Sequence, residues 1–131
     1  MARILVMEDE ENIRFVLKTA LAMAGHEIVA VSDGMFGMEE LKQGVEPDVV
    51  LVDLRMPRLD GRAVVEKMRD ESALNRIPVV IMSGSMDCSQ EYPPENLYCA
   101  KITKPFDLIE VIDTVASLLN RDACKLHNPP E

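Results

Sequence analysis

The sequence contains the stretch Val49-Val50-Leu51-Val52-Asp53, an apolar run closed by a carboxylate. A run without polar alternation is typical of a strand that is covered on both faces, as in a parallel sheet. A second run of this kind, Val79-Val80-Ile81-Met82, follows later in the chain. Since crossovers between parallel strands are right-handed and usually helical, these runs predict an open α/β sheet with helices on both faces.

On both sides of this stretch, short apolar runs alternate with helical patterns. We predict five strands, over Arg3–Met7, Glu27–Val31, Asp48–Val52, Pro78–Met82 and Tyr98–Ile102. Apolar residues at helical spacing predict helices over 13–24, over 34–42, from 61 to a point before Pro78, and over 108–119 with Asp107 as its cap. The Pro93-Pro94 pair removes two backbone donors, so we expect irregular or short helical structure before the fifth strand.

Length and charge limit the class of protein. A chain of 131 residues with 47% hydrophobic residues is long enough for one hydrophobic core. We assign residues 1–121 to one domain and residues 122–131 to a short polar tail that should fray. The net charge of −9 repels phosphate backbones and anionic lipid, so we expect neither nucleic acid nor membrane as a direct partner.

Cysteine usage and hydropathy bear on the compartment. Cys88, Cys99 and Cys124 are odd in number and lack Cys-x-x-Cys spacing, which predicts reduced thiols. No apolar run reaches the roughly 18 residues that a membrane span needs, and the N-terminus lacks a signal-peptide pattern. We therefore expect a cytoplasmic protein.

Polar residues follow four of the predicted strands, where ligands bind in open α/β sheets. Glu8 and Asp9 follow the first strand and Asp53 the third, and three such carboxylates would repel one another unless a cation joined them. Oxygen ligands favour Mg²⁺ over zinc. Ser83 and Lys104 follow the fourth and fifth strands, so their hydroxyl and ammonium groups could hold phosphoryl oxygens while Asp53 acts as nucleophile.

Each of these residues also has a purely structural interpretation. The run Glu8-Asp9-Glu10-Glu11 fits the N-terminus of a helix, where acidic residues are favoured by the helix dipole. Ser83 is a common turn residue, and Lys104 could be a solvated surface lysine. Their joint placement at strand ends is what favours the functional interpretation.

The chain resembles bacterial response-regulator receiver domains of the single-domain, chemotaxis-Y-like kind over residues 3–121. The motifs that carry the resemblance are Glu8-Asp9, Asp53, Met56-Pro57, Asp60-Gly61, Ser83 and Lys104-Pro105-Phe106, in the family's order and spacing. The resemblance implies a flavodoxin-like, five-stranded sheet in the order 2-1-3-4-5. It also implies a cis peptide bond between Lys104 and Pro105.

The resemblance further implies a phosphorelay function. Asp53 would accept a phosphoryl group from a sensor histidine kinase or a histidine phosphotransfer protein, with Lys104 and Ser83 assisting. Mg²⁺, which Mn²⁺ can replace, would be held by Glu8, Asp9, Asp53 and the backbone carbonyl of Arg55. The output would go to an unknown downstream protein or to a phosphorylation-dependent dimer. The chain would catalyse only its own phosphorylation and dephosphorylation, and would not otherwise be an enzyme.

Departures from the family pattern keep two alternatives open. Ser83 stands where threonine is common, and Lys101 stands where the family usually has an aromatic residue. Together with Pro93-Pro94, Lys101 motivates a receiver-like interaction module whose output does not depend on phosphorylation. A haloacid-dehalogenase-type phosphatase would need a second aspartate two residues after the nucleophile, where Arg55 stands, so we disfavour it.

Overall fold

The structure, a computed structural model, describes residues 2–84 and 92–120. Its strands are β1 Arg3–Met7, β2 Glu27–Val31, β3 Val49–Asp53, β4 Val79–Gly84 and β5 Ala100–Lys104. Its α-helices are α1 Glu11–Met23, α2 Gly34–Lys42, α3 Gly61–Asp70 and α4 Leu108–Leu119. The strands pair in parallel in the order β2-β1-β3-β4-β5, which confirms the flavodoxin-like sheet expected from the sequence.

The central strand β3 is buried along its whole length because helices cover both faces of the sheet. Val50 and Val52 pack in the layer formed with α2 and α3, which we call the α2/α3 layer. Val49 and Leu51 pack in the opposite layer, formed with α1 and α4, which we call the α1/α4 layer. Successive strand residues thus serve two cores, which explains the continuous apolar run.

The ends of the elements decide where the functional side chains lie. Helices α2 and α4 have the predicted bounds, and Asp107 Oδ1 accepts a hydrogen bond of 2.8 Å from the backbone N–H of Ile109 at the start of α4. The last three strands run one or two residues beyond the predicted ends. The parallel ladder pairs Asp53 with Met82 and Gly84 with Lys104, so backbone pairing continues past the apolar runs.

The connection between β4 and β5 is irregular in its described part. Residues 92–99 contain one short 3-10 helix, Glu95–Leu97, in agreement with the helix-breaking effect expected of Pro93-Pro94. Arg69 of α3 holds this segment, since its Nε donates a hydrogen bond of 2.9 Å to the carbonyl of Leu97. Burial lowers the pKa of Arg69 to about 10.

One expectation from the sequence is wrong. Cys99 is disulfide-bonded, whereas its spacing predicts a reduced thiol. Spacing along the chain does not reveal which side chains meet in the fold, whereas a disulfide depends on the distance between the two Cα atoms and on the direction of their Cβ atoms. Cys88 and Cys124 lie outside the described residues, as does the tail over 122–131.

Among residues 2–84 and 92–120, no helix has the length and apolar character required to cross a bilayer.

Candidate functional site

Three carboxylates meet at the carboxyl edge of the sheet. Glu8 and Asp9 directly follow β1, and Asp53 is the last residue of the neighbouring strand β3. One carboxylate oxygen from each of the three lies within 4.8 Å of the others. Glu8 and Asp53 are buried, whereas Asp9 is exposed, so the cluster opens to solvent on the side of Asp9.

Lys104, the last residue of β5, reaches into this cluster. Its Nζ lies 2.8 Å from Oε1 of Glu8 and donates a hydrogen bond of 3.1 Å to Oδ2 of Asp53. With Asp9, the site then holds three carboxylates and one ammonium group, and formal charges of −3 and +1 leave it at −2. One ammonium group does not neutralise the cluster.

The excess negative charge shows in the acid–base properties of the site. Burial, and then the nearby charge of Glu8, raise the pKa of Asp53 to about 7, although Lys104 acts in the opposite direction. For Lys104, burial acts to lower the pKa, but the close contact with Glu8 and the charge of Asp53 raise it overall. Lys104 therefore stays protonated, and the site disfavours the ionised form of Asp53.

The residues of the cluster fit a hard divalent cation. Oε2 of Glu8 accepts a hydrogen bond of 3.0 Å from the backbone N–H of Glu10, but the fully buried Oε1 accepts none. Its 2.8 Å approach to Lys104 is an ion pair without hydrogen-bond alignment. This buried oxygen therefore lacks a hydrogen bond, and two further carboxylates lie beside it. Together these groups offer the oxygen ligands that Mg²⁺ prefers. Glu8, Asp9 and Asp53 are the side chains that would hold the ion.

Arg55 remains a predicted ligand through its backbone carbonyl. The structure places it, exposed, two residues after Asp53 in the loop between β3 and α3. This loop is closely packed against the strand end. The backbone N–H of Gly61 donates a hydrogen bond of 2.9 Å to the carbonyl of Leu54, and a Cβ added to Gly61 would lie 2.5 Å from the carbonyl oxygen of Asp53. Only glycine allows α3 to begin this close to the strand end.

The same loop is tied to α2 by an ion pair that the sequence did not reveal. Arg58 adopts a positive φ of 68°, and its Nε donates a hydrogen bond of 2.9 Å to Oδ2 of Asp33. Asp33 also caps α2 by accepting a hydrogen bond from the backbone N–H of Phe36, and the Arg58 guanidinium lies 4.6 Å from the centroid of the Phe36 ring. Burial acts to raise the pKa of Asp33, but the hydrogen bonds from Arg58 and Phe36 lower it overall.

Ser83 lies on β4, adjacent to β3, and is 1% exposed. Its hydroxyl shares a hydrogen bond with the hydroxyl of Tyr92, from the irregular connection before β5. The centroids of the Tyr92 and Tyr98 rings lie 6.2 Å apart. Nζ of Lys101 lies 5.3 Å from the centroid of the Tyr92 ring. Sequence reasoning missed Tyr92, because a tyrosine before two prolines carries no signal of what its side chain contacts.

The predicted site residues therefore separate into two groups. Glu8, Asp9, Asp53 and Lys104 form one cluster, as expected from their positions at strand ends. Ser83 belongs to the neighbouring strand, but its hydroxyl is paired with Tyr92. The Lys104–Pro105 peptide bond is cis, as the resemblance implies.

Known proteins resemble the chain in sequence and in fold. It is 38% identical to the Escherichia coli regulatory protein AtoC over 112 residues, which are 83% of this chain and 23% of that protein. It is 30% identical to the DNA-binding dual master transcriptional regulator RpaA of Synechocystis over 92% of this chain and 50% of that protein. The chain thus spans at most about half of either curated relative.

A solved structure and a family model agree with these relatives. The crystal structure of the phosphorylated cyanobacterial phytochrome response regulator RcpA matches with a TM-score of 0.74 and 32% identity, over 87% of this chain and 88% of that one. The sequence model of the response regulator receiver domain matches residues 4–116. Most of the chain is included in that match, so the chain belongs to the response-regulator receiver domains of two-component signal transduction.

Proposed function

We propose that the chain is the phosphoacceptor of a phosphorelay and that Asp53 is the residue that is phosphorylated. The observation that carries the proposal is the position of the Asp53 carboxylate, which is buried at a strand end between an acidic pair and Lys104. Receiver domains exchange signals with histidine kinases and downstream effectors. The donor would be the phosphohistidine of a sensor kinase or of a histidine phosphotransfer protein.

The transfer is a displacement at phosphorus. An Asp53 carboxylate oxygen forms the new P–O bond while the P–N bond to the donor imidazole breaks. The electron pair of the P–N bond stays on the imidazole nitrogen, which takes up a proton, and Asp53 becomes an acyl phosphate. In the reverse sense of the switch, water attacks the phosphorus and releases inorganic phosphate and the free carboxylate.

Lys104 and Ser83 would hold the transferred group. The Lys104 ammonium already lies 3.1 Å from Oδ2 of Asp53, so it can neutralise charge that develops on a phosphoryl oxygen at that position. The Ser83 hydroxyl can donate a hydrogen bond to a second oxygen. When bound by Glu8, Asp9, Asp53 and the Arg55 carbonyl, Mg²⁺ or Mn²⁺ would supply positive charge for a third oxygen.

Several finer features belong to the same proposal. The chain would catalyse only its own phosphorylation and dephosphorylation, in the cytoplasm, and would signal to a downstream protein or through a phosphorylation-dependent dimer. Its charge of −9 argues against direct binding to nucleic acid, although RpaA is a DNA-binding regulator over its longer chain.

The test is chemical labelling. Incubation with Mg²⁺ and acetyl phosphate should add one phosphoryl group to the intact chain, detected by mass spectrometry. Asp53→Asn should abolish the labelling, whereas Asp113→Asn, the same change at an exposed position on α4, should leave it intact. Labelling that persists in Asp53→Asn would refute the assignment of the acceptor.

A second measurement separates a switch from an interaction module that is insensitive to phosphorylation. Amide chemical shifts recorded with and without beryllofluoride should change beyond the immediate pocket, including on β5, if the domain is a switch. Shifts confined to the strand ends at Glu8, Asp53 and Lys104 would favour the module.

A further inference from the structure

Ser83 has a competing partner for the hydroxyl that the proposed function assigns to the phosphoryl group. That partner is the Tyr92 hydroxyl, which shares a hydrogen bond with Ser83. Ser83 is almost completely buried. A serine hydroxyl has one proton to donate and lone pairs that can accept, and the position of its oxygen is set by one side-chain torsion angle. When Ser83 donates this proton to Tyr92, it cannot also donate the proton to a phosphoryl oxygen.

The two candidate partners lie on different faces of the sheet. Along β3, Asp53 is two residues from Leu51, which packs in the α1/α4 layer. Along β4, Ser83 is two residues from Ile81, which packs with Tyr92 in the α2/α3 layer. Since side chains alternate along a strand, Cβ of Ser83 lies on the Tyr92 side, and we expect its hydroxyl to change direction when it contacts a phosphoryl group at the strand end.

The position of the Tyr92 ring is itself fixed by its surroundings. The ring packs against the α2/α3 layer and lies 6.2 Å from the ring of Tyr98. The Lys101 ammonium lies 5.3 Å from the ring centroid, within the range of a cation–π contact. Pro93 follows directly and restricts the backbone of Tyr92 to extended conformations. The phenol is thus a preorganised partner for Ser83.

We propose that Tyr92 is a positioning residue that holds the Ser83 hydroxyl away from Asp53 until a phosphoryl group competes for it. This inference rests on the proposed function of Asp53. When Ser83 turns to the phosphoryl oxygen, the Tyr92 hydroxyl loses its partner, and the contact between its ring and the exposed Lys101 changes. A signal from Asp53 then reaches the surface at β5 through Tyr92, without an aromatic residue at position 101.

The first test measures the competition with a phosphoryl mimic. Beryllofluoride is titrated in the presence of Mg²⁺ into the wild-type chain, Tyr92→Phe, Ser83→Ala and the double variant, and binding is followed by NMR. Removing one competing hydrogen bond should tighten binding by about three- to tenfold in Tyr92→Phe. Because the competition passes through Ser83, Tyr92→Phe should have no effect in the Ser83→Ala background. Tyr98→Phe removes the neighbouring phenol hydroxyl and should bind as the wild type does.

The second test observes Tyr92 directly. The chain contains two tyrosines and no tryptophan, so the fluorescence of Tyr98→Phe comes from Tyr92 alone. Saturation with beryllofluoride should change this emission, because the hydroxyl loses its hydrogen bond to Ser83. In the Tyr98→Phe/Ser83→Ala double variant, the same saturation should leave the emission unchanged.

The outcomes distinguish this inference from the function on which it rests. If acetyl phosphate does not label the wild-type chain at Asp53, the proposed function fails and the competition fails with it. If labelling occurs but Tyr92→Phe binds beryllofluoride as the wild type does, or more weakly, only the competition is overturned. An equal gain in the presence and absence of the Ser83 hydroxyl would also overturn it.

Discussion

Asp53 has two neighbouring strands whose ends differ in kind. At the end of β1, Glu8 and Asp9 form a charged side, where Lys104 leaves two negative charges uncompensated. At the end of β4, Ser83 and Tyr92 form a neutral side, joined by a hydrogen bond between two hydroxyls.

The difference separates two physical tasks. On the charged side, the carboxylates repel one another, so its properties should depend on cations, pH and ionic strength. On the neutral side, the Ser83 hydroxyl can bond either to Tyr92 or to a phosphoryl oxygen. Cations, pH and ionic strength should hardly affect this hydrogen bonding between uncharged hydroxyls. A single phosphoryl group on Asp53 would act on both sides at once, by changing the charge on one and by competing for the hydroxyl on the other.

The largest effect should come from removing a charged ligand. Asp9→Asn should weaken Mg²⁺ binding by about ten- to a hundredfold, since cation sites depend on the number of charged oxygens and on their orientation. Isothermal titration calorimetry measures the affinity. Glu10→Gln removes the same charge from an exposed neighbour outside the carboxylate cluster, so it is the matched control. Equal losses in both variants would mean that Asp9 acts only through long-range charge.

A smaller effect should appear in the stability of the metal-free chain. The raised pKa of Asp53, about 7 in the fold, means that the folded state favours the protonated carboxyl. The stability due to this group is complete below about pH 4 and is lost as the pH rises through 7. Asp53→Asn cannot undergo this loss, so it should be more stable than the wild type by about 1–2 kcal/mol at pH 8, after allowance for solvent screening.

Urea denaturation in EDTA at several pH values measures this difference. The advantage of Asp53→Asn should shrink towards pH 4 and should also shrink when Mg²⁺ is added. Asp113→Asn, at an exposed position on α4, should follow the wild type at every pH. If the free energy of unfolding depended on pH in the same way in the wild type and in Asp53→Asn, repulsion at the charged side would not destabilise the fold.

The smallest effect should come from the neutral side. Ser83→Ala removes one hydrogen bond between uncharged groups, which should cost about 0.5–1.5 kcal/mol of unfolding free energy. The cost should be the same at pH 5 and pH 8, and with or without Mg²⁺. Ser117→Ala, at an exposed position on α4, should change the stability by less than about 0.5 kcal/mol. A cost at Ser83 that followed pH would remove the distinction between the two sides.

The charged side could be predicted from the sequence because strand ends are encoded locally. An apolar run that ends in Asp53 locates one carboxylate at the edge of the sheet, and the parallel order brings Glu8 and Lys104 to the same edge. The positions at which the strands end were predicted less accurately. Backbone pairing of β5 begins at Ala100 and continues to Lys104, because the ladder follows its partner β4 rather than the apolar pattern.

Ser83 was predicted as a site residue, but its contact with Tyr92 on the neutral side was not, because the type of residue at position 92 carries no local signal of what it contacts. Tyr92 reaches Ser83 from an irregular segment whose path is set by the contacts of its own residues with α3 and the core. The ion pair between Asp33 and Arg58 has the same character, since 25 positions separate the two residues. Hydrophobic periodicity predicts helices, strands and their ends, but it does not predict the contacts of the segments that connect them.

The close approach of α3 to Asp53 has a mechanical consequence. At Gly61 the helix begins against the carbonyl oxygen of Asp53, and Arg58 anchors the intervening loop to α2, so this flank of the acceptor has few degrees of freedom. On the opposite flank, the Ser83 hydroxyl is held by a hydrogen bond to Tyr92, which a phosphoryl group could replace. We expect a displacement that starts at Asp53 to be taken up on the side of β4 and β5, with the loop over 54–60 as the fixed support.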